Sequence, residues 1–295
     1  LAVFSCFFLA FDPSRGLESA TKATDSAPRP QMSKTIQTTS VMTSLETQQE
    51  KRLGTLMLCG GGKLPEEIRS RFFSLGGAGN GSLVVIPSAS PSSDHSDHAK
   101  FLRYWQNYSW KNVKILHILN RHDAQGDDVV QLLKSATAIW IAGGDQNRLA
   151  SRYQGTSVES EIAGLIGRGG VVGGTSAGSA IASSVMIAGG QHLPTIKYGF
   201  NLLPNAIVDQ HFSQRNRYSR LSSAVQNFPE RVGYGIDEGT AVLFGPEKTE
   251  VIGRGNVYIY HSKKSPSVSA NADLAPTVVS AGTSIANSEL ITLTE

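Results

Sequence analysis

Residues 171–180 read Val-Val-Gly-Gly-Thr-Ser-Ala-Gly-Ser-Ala, and within them Gly174-x-Ser176-x-Gly178 sets a serine between a β-prone run and small residues. That spacing has a mechanical reason. A serine on a sharp strand-to-helix turn is lifted clear of the sheet, and small neighbours let strand and helix approach closely. The helix start also favours developing negative charge. A serine hydroxyl is a weak nucleophile near neutral pH, so it needs a base, usually histidine, oriented by a carboxylate. The chain holds seven histidines. His95 and His98 lie in a polar Ser-Asp-His-Ser-Asp-His run that reads as a solvated helix start rather than a metal site. His117 and His122 flank a strand end, and His192 sits in a glycine-bounded loop. His211 and His261 remain the leading candidates for the base.

His211 sits in the strand-like run Ile207-Val208-Asp209-Gln210-His211-Phe212, after which a helix is expected from Ser213. Arg217 and Arg220, three apart, share a helix face there, with Arg215 near its N-terminal end. Cations at a helix start oppose its dipole, which favours a functional reason for them over a decorative one. Glu238 follows another strand in Gly235-Ile236-Asp237-Glu238 and is a candidate to orient His211. A second order of groups, Ser176, Asp237 and His261, would suit an α/β-hydrolase esterase. A non-catalytic protein that captures acidic peptides on the arginines is the remaining alternative. Gly60-Gly61-Gly62 lacks the Lys-Ser/Thr ending of a phosphate loop and reads as a close-approach turn near the site.

The elements that must position these groups follow from periodicity. From residue 52 short β-prone runs alternate with helical stretches, the pattern of βαβ units and a parallel sheet. Strands are expected at Thr55–Leu58, Leu83–Ile86, Val113–Ile118, Ala138–Ile141 and Gly170–Val172. Helices are expected near 64–75, 95–108, 127–134 and 157–167, with a small-residue helix over Ala180 to Ser184. Nearly every strand runs into glycine or a small polar residue, and the carboxyl ends of parallel strands form the ligand crevice. After residue 228 closely spaced short strands, Val232–Ile236, Ala241–Phe244, Glu250–Ile252 and Val257–Tyr260, read as an antiparallel edge or meander. The expected fold class is α/β: a three-layer sandwich around a mostly parallel sheet, with antiparallel strands toward the C-terminus.

Apolar residues make up 40% of the 295 and charged residues 17%, a balance that suits a soluble enzyme with a sizeable core. A net charge of +3 without a long basic run implies neither a nucleic acid nor a membrane partner. The two cysteines, Cys6 and Cys59, lie in different contexts and suggest neither a disulfide framework nor a metal site. Residues 1–51 differ from the rest. Leu1–Phe11 is apolar but shorter than the roughly 20 residues that cross a bilayer. It suits a signal h-region, or the protein starts later, for example at Met32. Residues 12–50 are polar and aperiodic. The division expected is a disordered or targeting segment, 1–51, and one catalytic domain, 52–295, in the cytoplasm, or exported if residues 1–11 belong to a signal.

Four segments in this order, Gly143-Gly144-Asp145-Gln146, Gly173-Gly174-Thr175-Ser176-Ala177-Gly178, Asp209-Gln210-His211-Phe212 with the three arginines, and Gly235-Ile236-Asp237-Glu238, resemble the cyanophycinases. These are peptidase E-like serine peptidases whose fold is related to class I glutamine amidotransferases, and the resemblance covers about residues 54 to 262. It implies a Ser176–His211–Glu238 triad, an oxyanion hole near Gly144 and Ala177, and no cofactor or metal. It further implies substrate contacts at Gln146, Asp209, Gln210, Arg215, Arg217 and Arg220, and a homodimer. The implied substrate is cyanophycin, poly-aspartate carrying arginine on its side chains, cut to β-aspartyl-arginine. Other Asp-rich peptides, as for an aspartyl dipeptidase of the same family, are the alternative. Asp209 is expected to receive a substrate guanidinium. Two departures stand out: Ser179, where the family has alanine, and a shortened stretch between Ser184 and Asp209.

Overall fold

The computed structural model describes residues 53–95, 98–262 and 274–287. The expected N-terminal segment, 1–51, lies outside the described residues. From Thr55 strand and helix alternate: β1 (Thr55–Cys59), α1 (Glu66–Leu75), β2 (Ser82–Ile86), α2 (Ala99–Arg103), β3 (Asn112–Ile115), α3 (Asp127–Lys134), β4 (Ala138–Ile141), α4 (Gln146–Tyr153), α5 (Ser157–Gly167), β5 (Val171–Thr175) and α6 (Ala177–Ala180). Then come a hairpin, β6 (Val185–Gly189) and β7 (Thr195–Tyr198), β8 (Ala206–Gln210) and α7 (Tyr218–Asn227). Strands dominate the remainder: β9 (Val232–Ile236), β10 (Thr240–Phe244), β11 (Lys248–Gly253), β12 (Asn256–Tyr260), β13 (Thr277–Ser280) and β14 (Ser284–Ala286).

The large sheet has the order β14-β11-β10-β1-β5-β4-β2-β3, with every pairing from β1 to β3 parallel and the three from β1 to β14 antiparallel. Its central strands are buried on both faces, so they are continuous apolar runs, TLMLC in β1 and AIWI in β4. Successive side chains go to opposite faces. Leu56, Leu58, Ile139 and Ile141 meet Leu133, Leu149, Ile162 and Leu165 of α3, α4 and α5 on one side. Met57, Val85 and Trp140 meet Ile68 and Phe72 of α1, with Trp105, on the other. Helix, sheet and helix make the three layers.

A second sheet, β13-β12-β9-β8, shares the α3–α5 side of the core through Val208, Ile236, Val257 and Ile259. Its β8–β9 pair is parallel, the others antiparallel. Leu221, Ala224 and Val225 of α7 cover its far face with Val185 and Ile187 of the hairpin.

The expected C-terminal meander is instead split: β10 and β11 extend the large sheet while β9 and β12 join the second. Helix 95–108 contracts to α2, and the strand expected over 113–118 pairs only as far as Ile115. Helix α4 carries only two fully buried apolar residues, Leu149 and Tyr153, one turn apart, too narrow a stripe to stand out by periodicity. A cap starts it, the Asp145 carboxylate accepting the Asn147 N–H at 2.8 Å. Among the described residues no helix is long and apolar enough to cross a membrane.

Candidate active site

Parallel register sets the positions first. Cys59 of β1 pairs with Thr175 of β5, so the end of β1 lies beside the residue preceding Ser176. Ser176 takes φ 53°, ψ −114°, a left-handed value that a non-glycine residue holds only when its surroundings enforce it. The Ser176 N–H donates to the Cys59 carbonyl at 3.1 Å, and the Ser176 carbonyl accepts from Ser179 N at 2.9 Å. A Cβ at Gly174 would lie 2.2 Å from the Gly178 carbonyl oxygen, and one at Gly178 would lie 2.1 Å from that of Ile141, so the elbow admits only glycine at both. The helix after it is a single turn, Ala177–Ala180, earlier and shorter than the expected 180–184.

Ser179 is fully buried and part of this frame. Its Oγ accepts the Cys59 N–H at 2.9 Å and lies 2.8 Å from both the Cys59 and Gly174 carbonyls, to which its proton is available. Burial pushes the neighbouring Cys59 thiol far above its ordinary range, so it offers no thiolate.

β8 and β9 run parallel with Gln210 opposite Ile236, so His211 and the pair Asp237–Glu238 leave the second sheet side by side. His211 Nε2 lies 2.9 Å from Ser176 Oγ, and its Nδ1 lies 2.5 Å from Glu238 Oε1. Backbone at His211 is also left-handed, φ 49°, and its N–H donates to the Gly60 carbonyl at 2.7 Å. The glycine turn after β1 lies directly on this pair. A Cβ on Gly61 would approach the His211 ring to 2.4 Å, and one on Gly62 the Glu238 carboxylate to 2.7 Å. Burial holds the His211 pKa below its ordinary value; the Glu238 hydrogen bond opposes this, and Arg215 and Arg217 add to it.

The Gly143-Gly144 turn follows β4 and meets the elbow, since a Cβ on Gly143 would lie 3.3 Å from the Ser176 Cβ. Among the described residues no backbone carbonyl takes the N–H of Gly144 or Ala177. The turn is braced from behind. Asp145 N donates to the Ala89 carbonyl at 2.9 Å, and Arg152 of α4 reaches the Ser88 carbonyl at 3.1 Å. Arg148 and Arg152 both bind the Asp94 carboxylate, and His117 Nε2 lies 3.2 Å from it.

The residues expected to contact substrate divide by burial. Arg215 is exposed; Gln146 and Arg217 are half-buried; Asp209, Gln210 and Arg220 are buried. Gln146 donates to the Ile187 carbonyl of the hairpin at 2.8 Å. Asp209 has no exposed surface, and both its oxygens are occupied by Arg220, with Arg217 3.1 Å from Oδ1. Its carboxylate therefore serves these two arginines and leaves no acceptor open to a substrate guanidinium. Arg217 and Arg220 do not present one exposed helix face, because Arg217, at the N-cap position of α7, reaches Asp209 and the Gln210 carbonyl, and Arg220 turns inward to Asp209 and the Gly190 carbonyl.

His211, not His261, stands at Ser176. The Asp237 carboxylate is taken by Ser213 N and Oγ and by Asn256 N, so it has another task than orienting a histidine. Three features had no counterpart in the sequence reading: the Ser213–Asp237 contact, the bond from Glu238 N to Gln214 Oε1 at 2.9 Å, and the Asp94 brace. Among the described residues no group of three or more His, Cys, Asp and Glu side chains is arranged to hold a metal ion.

An α/β sandwich with a serine on a strained strand-to-helix elbow is the frame of a serine hydrolase, and comparison with known proteins narrows it. The model of peptidase family S51 matches residues 56–252, and the chain belongs to that family of serine peptidases. It is 36% identical over 203 residues to a cyanophycinase of Geminocystis herdmanii, covering 66% of this chain and 74% of that one. To a Nostoc cyanophycinase it is 34% identical over 250 residues, covering 78% and 83%. The solved structure of a peptidase from an acI-B1 Actinobacterium has the same fold, with TM-score 0.63 at 24% identity, over 80% of this chain and 98% of that one.

Proposed function

We propose that this serine peptidase is an exopeptidase that hydrolyses cyanophycin to β-aspartyl-arginine dipeptides through a Ser176–His211–Glu238 triad. The observation that carries the mechanism is the unbroken line from Ser176 Oγ through both His211 nitrogens to Glu238, 2.9 Å and 2.5 Å long. A carboxylate can only accept, so Nδ1 carries the proton and Nε2 is free to take that of Ser176. With its pKa held down, His211 is the neutral base at pH 7. Ser176 attacks the peptide carbonyl, and the oxyanion is received by the N–H groups of Gly144 and Ala177, each worth about 3 kcal/mol by comparison with other serine hydrolases. Imidazolium then protonates the leaving amine, and water activated by His211 releases the acyl group.

The substrate rests on the relatives named cyanophycinase and on the exposed cation Arg215 beside half-buried Arg217, which suit the free carboxylates that such a polymer keeps on its attached arginines and at its chain end. Asp209, Gln210 and Arg220 would act from behind, holding Arg217 and the hairpin.

Incubation with cyanophycin, followed by mass analysis of the products, tests the reading. β-Aspartyl-arginine should appear with the wild type and fall by at least ~10³-fold with Ser176→Ala. Cleavage of short aspartyl peptides alone would instead assign a dipeptidase with the same triad, and an essential His261 would replace the triad itself.

A further inference from the structure

His211 is held where its backbone is least comfortable, and a strained non-glycine residue persists only when several contacts over-determine it. Its N–H is fixed to Gly60, its carbonyl accepts from Arg215 N at 3.0 Å, and Phe212 N donates to the Ile236 carbonyl at 3.2 Å. The next two residues are bolted to the neighbouring strand exit in opposite directions. Ser213 gives its N–H, at 3.0 Å, and its hydroxyl, at 2.5 Å, to Asp237 Oδ1. Gln214 returns its Oε1 to the backbone N–H of Glu238 at 2.9 Å. Asp237 Oδ2 is held in turn by Asn256 N at 3.2 Å, so this carboxylate, 4% exposed, fastens β9, β12 and the turn after β8 together. Adjacent acids thus divide the work: Glu238 meets the imidazole ring, and Asp237 meets the backbone that carries the ring.

We infer that Asp237, acting through Ser213, is a positioning residue that sets the His211–Glu238 contact. This rests on the triad reading above. The geometry asks for a carboxylate at 237 and not an amide. Oδ1 faces two donors and Oδ2 a third, all from protein, so the NH2 of an asparagine would face a donor whichever way it turned. A hydroxyl at 213 is needed for the same reason: without it Oδ1 keeps only the backbone N–H, and the turn loses its side-chain bolt.

The consequence is visible in proton affinity. The charged groups facing the imidazole are Glu238 from the β9 exit, Arg215 from the turn after β8 and Arg217 at the start of α7; the Gly60–Gly62 turn brings none. Burial lowers the His211 pKa, the Glu238 hydrogen bond raises it, and the two arginines lower it. Lengthening the Nδ1–Glu238 contact removes the hydrogen bond that raises the pKa and weakens the attraction of the Glu238 charge, while burial and the arginines still lower it, so the acid limb of reactivity moves to lower pH.

The second-order rate at which a fluorophosphonate labels Ser176, measured against pH, reads this without reference to the substrate. The full chain is used, and kcat and KM on cyanophycin are measured alongside. Ser213→Ala is expected to slow labelling and kcat about tenfold, leave KM unchanged and shift the acid limb downward. Ser213→Thr, which keeps the hydroxyl, should restore both to within about threefold. Asp237→Asn should do as Ser213→Ala does, and more strongly. Adding Ser213→Ala to Glu238→Gln should cost little further, because both act on one contact. The inference is overturned if Ser213→Ala leaves rate and acid limb unaltered. It is equally overturned if the rate falls with a lowered Tm and an unmoved limb, the mark of a structural contact. A wild type that takes no label on Ser176 sinks the triad reading instead.

Discussion

Behind the site stand two clusters with the same charges, one aspartate between two arginines, in different surroundings. Asp209 with Arg217 and Arg220 lies on the second sheet behind His211, with side chains 0%, 12% and 6% exposed. Asp94 with Arg148 and Arg152 lies beside α4, behind the Gly143–Asp145 turn, with side chains 26%, 25% and 12% exposed. Coulomb's law treats them alike; water does not. The Asp209 carboxylate has given up its hydration and depends on its cations, while the half-buried Asp94 set keeps more of its solvent and is more screened. The base of the proposed triad is therefore backed by an ion cluster expected to lose much more on deletion of its carboxylate than the one behind the proposed oxyanion turn.

The largest effect should come from Asp209→Ala, which leaves buried Arg220 and half-buried Arg217 without a counter-charge. A loss of about 3–5 kcal/mol is expected, measured by urea unfolding, against no more than about 1 kcal/mol for Asp94→Ala. Equal losses would erase the distinction and show that water reaches Asp209 in solution.

That distinction also marks where the sequence stopped being informative. The central sheet was legible because β1 and β4 are buried on both faces and must be apolar throughout. Ser176 was legible because an elbow needs glycines at fixed offsets, and the glycine turn at 60–62 because close approach leaves no room for a Cβ. The arginines were legible as an unusual charge group, yet the role of Asp209 was not: whether a carboxylate meets substrate or its own neighbours depends on burial, which sequence does not carry. The splitting of the last strands between two sheets is illegible in the sequence for a similar reason. Val232–Ile236 and Thr240–Phe244 have comparable local patterns, and only their long-range partners separate them.

A middle-sized effect is expected from salt. At ~1 M ionic strength the screening length falls to ~3 Å. The stability difference between wild type and Asp94→Ala should then shrink by half or more, while that for Asp209→Ala stays within ~20%. A salt-insensitive Asp94 difference would mean that its cluster is as dry as the other one.

The smallest effect is in acid, and its sign follows from one carboxyl. The hydrogen bond from Arg148 to Asp94, followed by that from Arg152, holds the Asp94 pKa below its usual value despite some desolvation. A carboxyl whose folded pKa is depressed adds stability that is complete above its unfolded pKa, about 3.9, and is lost as pH falls through the folded value. The advantage of wild type over Asp94→Asn should therefore be constant from pH 7 to about 5 and fade below about 4, as the wild-type carboxyl takes up its proton. Urea midpoints at pH 7, 5, 4 and 3 measure it. His117 is the one histidine at this carboxylate, and burial keeps its own pKa low, so it stays neutral above pH 7 and adds its charge only on acidification. Protonated, it would attract Asp94 and be repelled by Arg148 and Arg152, so the pH 7 to 5 interval separates its influence from that of the arginines. A difference that grows on acidification through that interval would show that His117, and not the arginines, is the partner that matters to Asp94.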